Sequence, residues 1–392
     1  MFSCLLPIIY LSFISLGLPD SLLGSAWPAM YPEMQVSVSC AGIVSMIIAA
    51  GTILSSLQSE RLTLRFGTGK VTALSVLITA FALIGFSLSH RFWQLCLWAV
   101  PYGLGAGSVD AALNNYVALH YKSRHMSWLH CMWGVGASLG PFVMGTVLTG
   151  GHVWNDGYRL IGLLQIVLSL ILLFSLPLWN EEKRSPATGE NTDSPRKAPL
   201  SLREIISISG VKEIMVSFFC YCAIEQTTGL WASSYFVLHT GLSPQTAAGY
   251  ASFFFVGITI GRAVSGFLTL ALNDRQMIRL GQAVILTGIL FLLLPFGVHS
   301  SFSGLILIGL GCAPVYPCII HSTPELFGTE RSQAVIGVQM ASAYIGTCIM
   351  PPLFGMIAEH ISVALLPFYL LVLLSIMAGS YTRLLQKSHA NI

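Results

Sequence analysis

Four formal charges lie inside long apolar stretches of this 392-residue chain: Asp20, Asp110, Glu225 and Arg262. A charge at the centre of a bilayer costs about 2.5–3.5 kcal/mol on insertion scales, so each of these requires a partner or a wet cavity. Low-dielectric surroundings disfavour the charged form of a carboxyl, which lets a buried acid load and release a proton. Asp20 has Gly24 and Trp27 at i+4 and i+7, on one helix face. That face offers a carboxylate, a gap and an aromatic plate. The combination suits a sugar, whose hydroxyls need acceptors and whose C–H face stacks on indole. Asp110 is followed one turn later by Asn114, and Gly103, Gly105 and Gly107 before it permit close helix approach. Glu225 shares a face with Tyr221 and Thr228. His130 and Trp133 stand at i and i+3 in another apolar stretch, and Gln339 and Tyr344 add polar groups in a later one. The proton-coupling candidates are therefore Asp20, Asp110 and Glu225. The substrate-binding candidates are Trp27, Asp110, Asn114, His130, Trp133, Tyr221, Glu225, Gln339 and Tyr344. For Arg262 a structural ion pair or a snorkelling contact is the preferred reading.

These residues need membrane helices to position them. The chain has 19 Lys and Arg, 16 Asp and Glu, only 9% charged residues, 54% apolar residues and a mean hydropathy of +0.75. Soluble globular proteins carry roughly 25% charge. A soluble enzyme, a disordered chain and a nucleic-acid-binding protein are excluded, and an all-α polytopic membrane protein remains. Twelve apolar segments of spanning length run at 4–30, 38–58, 70–89, 92–118, 127–149, 158–179, 211–235, 245–270, 278–298, 302–324, 333–357 and 362–382. Sixteen basic residues fall in the loops and tail of one side, against only Arg91 and Arg159 on the other. The positive-inside rule then places both termini in the cytoplasm. The polar stretch after span six reads as a flexible linker, giving an N-terminal half 1–179, a cytoplasmic linker 180–210 and a C-terminal half 211–392. The nine cysteines form no C-x-x-C pair and read as apolar filler, and neither a metal site nor a cofactor is expected.

The halves repeat weakly. Gly-Leu-Gly at 103–105 recurs at 309–311, Gly51 pairs with Gly257, Asp20 and Gly24 pair with Glu225 and Gly229, and Gly136, Pro141 and Gly145 pair with Gly346, Pro351 and Gly355. The offset stays between 205 and 210 residues. The repeat partner of Asp110 is Tyr316, so titratable groups are distributed unequally between the halves. Two parallel six-span repeats are the layout of a secondary transporter with a midplane site. A channel or receptor does not require that symmetry, and no G-x-x-x-x-G-K-[ST] loop is present to bind ATP phosphates.

At these residues the sequence resembles the major facilitator superfamily and, within it, the fucose/galactose/glucose–proton symporter family of fucose-permease-like transporters. GLPDSLLGSAWP at 17–28 is similar to that family's acid-bearing first helix, and GLGAGSVDAALNNYV at 103–117 to its fourth. LHCMWGVGASLGP at 129–141, YCAIEQTTGLW at 221–231, GLGCAPVYP at 309–317 and GVQMASAYIGTCIMPPLFG at 337–355 resemble its fifth, seventh, tenth and eleventh helices. The resemblance implies twelve helices in two pseudo-symmetric halves. It also implies a coupling acid at Asp20, a carboxylate at Asp110 that links substrate binding to protonation, and a polar substrate contact at Asn114. There are departures. The loop after span two keeps Arg65, Gly67 and Lys70 of the superfamily's gating motif but lacks its Asp. Gly136, Gly140 and Pro141 approach the fifth-helix motif of drug–proton antiporters.

The expected function is proton-coupled uptake of a small neutral sugar, a hexose or deoxyhexose, by a monomer in the plasma membrane of a bacterial cell. Sodium is the alternative coupling ion. The rival functions are a drug–proton antiporter and a non-transporting sensor built on a transporter fold. The expected partners are the small-molecule substrate and the lipid bilayer, with no nucleic acid.

Overall fold

The computed structural model describes residues 5–120, 123–181 and 202–389. Most of the linker assigned at 180–210 lies outside them. The described residues form twelve long helices, all close to the predicted spans. α1 runs Leu5–Asp20 and resumes after Ser21 as Leu22–Glu33. α2 to α6 are Cys40–Phe66, Thr68–Ser87, Phe92–His120, Ser123–Thr149 and Trp154–Phe174. α7 to α9 are Val211–Thr240, Pro244–Leu268 and Asp274–Leu293. α10 is divided into Val298–Cys312 and Val315–Phe327, and α11 (Thr329–Ile357) and α12 (Leu366–His389) complete the chain. Local chemistry sets several boundaries. Gly67, at φ 84°, turns α2 into α3 with a backbone conformation that a side chain would strain. Ser243 caps α8 with Pro244 behind it, and Asn273 and Gln276 form a reciprocal capping box at the start of α9.

Eight stretches are long and apolar enough to cross a membrane by length and composition. They include Leu5–Glu33, which contains Asp20, and Val335–Lys387, which holds most of α11 and α12. Ion pairs outside the core lie at helix ends, among them Glu213–Lys387 at 2.5 Å, Asp274–His321 at 2.6 Å, Arg275–Glu325 at 3.5 Å and Asp156–Arg159 at 3.2 Å. They sit where water can reach, so they leave the apolar belt uncharged.

Helix packing repeats between the halves, residue for residue. A Cβ on Gly136 would strike the Ile14 carbonyl, and one on Gly346 would strike the Phe219 carbonyl. Gly103 lies against the Ile48 carbonyl, and Gly309 against that of Phe254. α5 therefore sits on α1 as α11 sits on α7, and α4 sits on α2 as α10 sits on α8. Without a hydrophobic drive between helices in lipid, such backbone contact supplies the dispersion energy of assembly. Hydroxyls reinforce it: Thr52 and Ser56 donate to the carbonyls of Gly103 and Gly107, at 3.3 and 3.1 Å.

The two halves close against each other on the face away from both chain ends. Gly24 of α1 lies where a Cβ would be 2.7 Å from the carbonyl oxygens of Gly229 and Leu230 on α7. Gly42 packs on Pro352, and Gly145 on Gly249. α7 is continuous through Gly229. The interrupted helices are α1, at Ser21, and α10, at Ala313 and Pro314.

Prolines inside helices free carbonyls that the membrane cannot hydrate. Pro141 has no N–H for the carbonyl of Ala137, and the Ser21 hydroxyl donates to it at 2.7 Å from the break in α1. Pro19 likewise leaves the Ser15 carbonyl, which accepts from the side-chain amide of Gln165 on α6. Interhelical hydrogen bonds of this kind are worth about 0.6 kcal/mol on average and about 1.7 at most. Ser21→Ala is expected to lower stability by roughly 1 kcal/mol in thermal unfolding, at the middle of that range. The loss should shrink in a Pro141→Ala background, where the backbone donor is restored. An equal loss in both backgrounds refutes this account.

Candidate functional site

A cavity of about 300 Å³ lies between the halves, lined from both. Asp20, Asp110, Glu225 and Arg262 all open onto it, as do His130, Trp133 and Tyr344. The four charges recognised in the sequence are thus gathered from α1, α4, α7 and α8 into one space. Tyr316, the repeat partner of Asp110, lines it too.

Asp20 is the last residue before the break in α1, with its carboxylate turned to the cavity. Its two oxygens accept from different helices: Oδ1 from the Tyr102 hydroxyl at 3.0 Å, and Oδ2 from the Trp133 indole N–H at 2.9 Å. Both donors are neutral. Asp110 accepts from the Asn114 amide at 2.8 Å, one turn along α4. Asn114 therefore orients Asp110 and is not itself part of the cavity lining. Buried polar groups must be hydrogen-bonded, and these three donors hold the two acids without neutralising them.

The other half is arranged differently. Glu225 faces Arg262, with Oε1 and Nη2 3.7 Å apart and side chains only 10% and 12% exposed. The guanidinium also reaches across the seam. Its Nη1 donates to the His130 carbonyl at 3.0 Å, and its carbon lies 5.0 Å above the Trp133 ring. Close approach of α5 and α8 makes this possible, since Gly134 leaves room for the Thr259 hydroxyl. Arg262 thus does more than hold a structural pair: it forms part of the cavity wall.

The remaining candidates are placed elsewhere. Trp27 is fully buried beyond the break in α1, donates to the Val38 carbonyl at 2.8 Å and does not line the cavity. The i, i+4, i+7 face assumed an unbroken helix from Asp20, and the interruption at Ser21 removes that register. Gln339 is buried against Thr323 at 3.1 Å, and Tyr221 packs its ring on Phe218 and Tyr316; neither is a lining residue. His130 presents its ring between Phe13 and Tyr316. Gly136, Gly140 and Pro141 form the contact of α5 with α1. Arg65 and Lys70 are exposed beside Gly67 at the α2–α3 turn, with the Arg65 guanidinium 5.2 Å over the Phe66 ring.

Tyr102 and Gln226 are among the lining residues that escaped the sequence reading. Tyr102 belongs to a stripe with Ala106 and Asp110, spaced four apart on α4, and that period was a usable signal. Gln226 is exposed to the cavity beside Glu225, and adjacency in sequence hid it, because neighbouring residues face about 100° apart.

The fold and this interhalf site define a secondary transporter. The model of the Major Facilitator Superfamily matches residues 9–320 and 214–389, and the chain belongs to that family. It is a multi-pass integral membrane transporter of small molecules and not an enzyme. It is 23% identical to Bypass of stop codon protein 6 of Saccharomyces cerevisiae, over 94% of this chain and 80% of that one. It is 21% identical to the cis,cis-muconate transport protein of Acinetobacter baylyi, over 91% of this chain and 87% of the relative. Among solved structures, a bacterial homologue of the human lysosomal transporter Spinster, inward-facing and unoccupied, superimposes with a TM-score of 0.68 at 14% identity. That alignment covers 98% of this chain and 95% of that one.

Removing one member of a buried ion pair strands the other, at a cost of about 3–5 kcal/mol, whereas replacing both is far less costly. Arg262→Ala should therefore destabilise the purified protein more than the double variant Arg262→Met/Glu225→Gln. A double variant less stable than Arg262→Ala in thermal unfolding contradicts a paired state.

Proposed function

We propose that this transporter couples inward proton movement to uptake of a small neutral polar solute, a hexose or deoxyhexose. The observation that carries this reading is the charge distribution of the cavity. Asp20 and Asp110 are held by neutral donors alone, while Arg262 already faces Glu225. An excess of carboxylates repels anions and leaves two acids available for protons. A neutral polyol can donate to Asp20 and Asp110 without paying for a second buried charge. The fucose-permease-like motifs around Asp20 and Asp110 support the same substrate class.

In this mechanism Asp20 takes a proton from outside, the site becomes competent for sugar, and the two halves rock about the cavity. Release inside lets the empty carrier return. Each ligand must raise the affinity for the other by the same factor. The charge asymmetry of the loops supports cytoplasmic termini, and the carrier is read as a monomer of the plasma membrane. Arg65, Gly67 and Lys70 would serve gating at the α2–α3 turn. The antiporter-like residues Gly136, Gly140 and Pro141 are accounted for by helix packing and therefore lend no weight to drug efflux.

Arg262 favours one second reading. A substrate carboxylate that displaced Glu225 would meet a ready guanidinium, and one relative carries the name of a dicarboxylate transporter.

Proteoliposomes separate these outcomes. An imposed pH gradient, acidic outside, should drive accumulation of labelled fucose, galactose or glucose, with no requirement for sodium at fixed pH. Asp20→Asn should retain sugar exchange and lose accumulation. Accumulation of muconate in place of sugars overturns the substrate class, and unchanged accumulation in Asp20→Asn overturns the proton role.

A further inference from the structure

The Trp133 indole is the one side chain among the described contacts that touches both charged sites. Its N–H donates to Asp20 Oδ2 at 2.9 Å, and its face carries the Arg262 guanidinium with 5.0 Å between carbon and ring centroid. Arg262 in turn faces Glu225 at 3.7 Å. Asp20 and Glu225 are repeat-related positions, joined across the seam through Arg262 and one rigid ring. Trp133 itself stands on α5, whose neighbours α1 and α8 supply the two partners.

We propose that Trp133 is a positioning residue that transmits the protonation state of Asp20 to the Arg262–Glu225 pair, and so links proton loading in one half to the interface with the other. An ionised Asp20 is the stronger acceptor and fixes the indole plane beneath the guanidinium. A protonated Asp20 holds the N–H less firmly, and the ring is free to turn. Arg262 then loses part of its cation–π support and moves toward Glu225. The guanidinium is poised for this, because 3.7 Å is longer than a charge-assisted hydrogen bond.

Other groups also face these side chains. Tyr102 and Asp110 on α4 approach Asp20, with Tyr158 of α6 behind Tyr102. His130 and Cys131 of α5, Tyr221 and Glu225 of α7, and Cys312 and Tyr316 of α10 approach Arg262. Of these, Tyr102 is the informative control, because it donates to the same carboxylate and does not touch Arg262.

The inference rests on the proton role proposed for Asp20, so its test reports that role separately and requires no substrate. The test is pH-difference infrared spectroscopy of the purified protein, with arginine isotopically labelled to mark the guanidinium modes. In the wild type, acidification should produce protonated-carboxyl bands, one component of which Asp20→Asn removes, together with a guanidinium shift that Arg262→Lys removes. Trp133→Phe keeps an aromatic face but has no N–H. It should keep the carboxyl band and reduce the guanidinium shift at least fivefold, while Tyr102→Phe keeps both.

Reciprocity gives a second readout that does not depend on Trp133→Phe. Arg262→Lys, with the indole in place, should change the proton affinity of Asp20 at least twofold. A full guanidinium shift in Trp133→Phe, or an unchanged affinity in Arg262→Lys, overturns the proposal. A carboxyl difference spectrum that is the same in Asp20→Asn as in the wild type instead overturns the proton role beneath it.

Discussion

A helix that breaks inside an apolar layer must have its freed backbone groups satisfied by protein, because no water is at hand. The site depends on that constraint. Pro19 lies one residue before Asp20, and the carbonyl it frees is taken by Gln165. The interruption that follows places Ser21 against α5, where it answers the carbonyl freed by Pro141. Two helices lose a backbone bond, and each loss is met by a side chain from a neighbour. α1 can therefore end a helical segment at Asp20 and present a carboxylate to the space between the halves. Gln165 and Ser21 never touch that space, yet they make its geometry possible.

The scaffold is symmetric and the chemistry is not. Glycines at matching positions bring α5 onto α1 and α11 onto α7 in the same way, because only backbone contact at that distance supplies enough dispersion energy in lipid. The charged positions diverge within this shared frame. Asp20 meets two neutral donors, while its counterpart Glu225 meets a guanidinium. Asp110 has a tyrosine as its counterpart. Unequal occupancy of equal positions gives one wall whose acids meet neutral donors and another whose charges are paired. That division is what a carrier needs if a proton and a solute are to be sensed by different sides of one cavity.

The span positions, the repeat and the four intramembrane charges were all legible in the sequence. Each depends on a local or periodic property: apolar length, a nearly constant offset, or the exclusion of charge from lipid. Asp20, Asp110, Glu225 and Arg262 were found because exceptions to low charge are few. Trp27 was misplaced because an unbroken helical face was assumed across Ser21. Tyr102 was missed because aromatic residues in membrane helices have many other uses, and nothing local marks the one that reaches a carboxylate 82 positions away.

The sequence by itself determined the class of protein, its twelve helices and the short set of residues able to carry charge within the membrane. Only the tertiary structure decided that those residues share one cavity, that Arg262 crosses the seam to an indole, and that Trp27, Tyr221 and Gln339 stand outside the lining. Apolar length and period act along the chain and can be read there. A hydrogen bond or ion pair between helices depends on their relative rotation, which is settled by the packing of glycines and by the demand that every freed carbonyl find a partner.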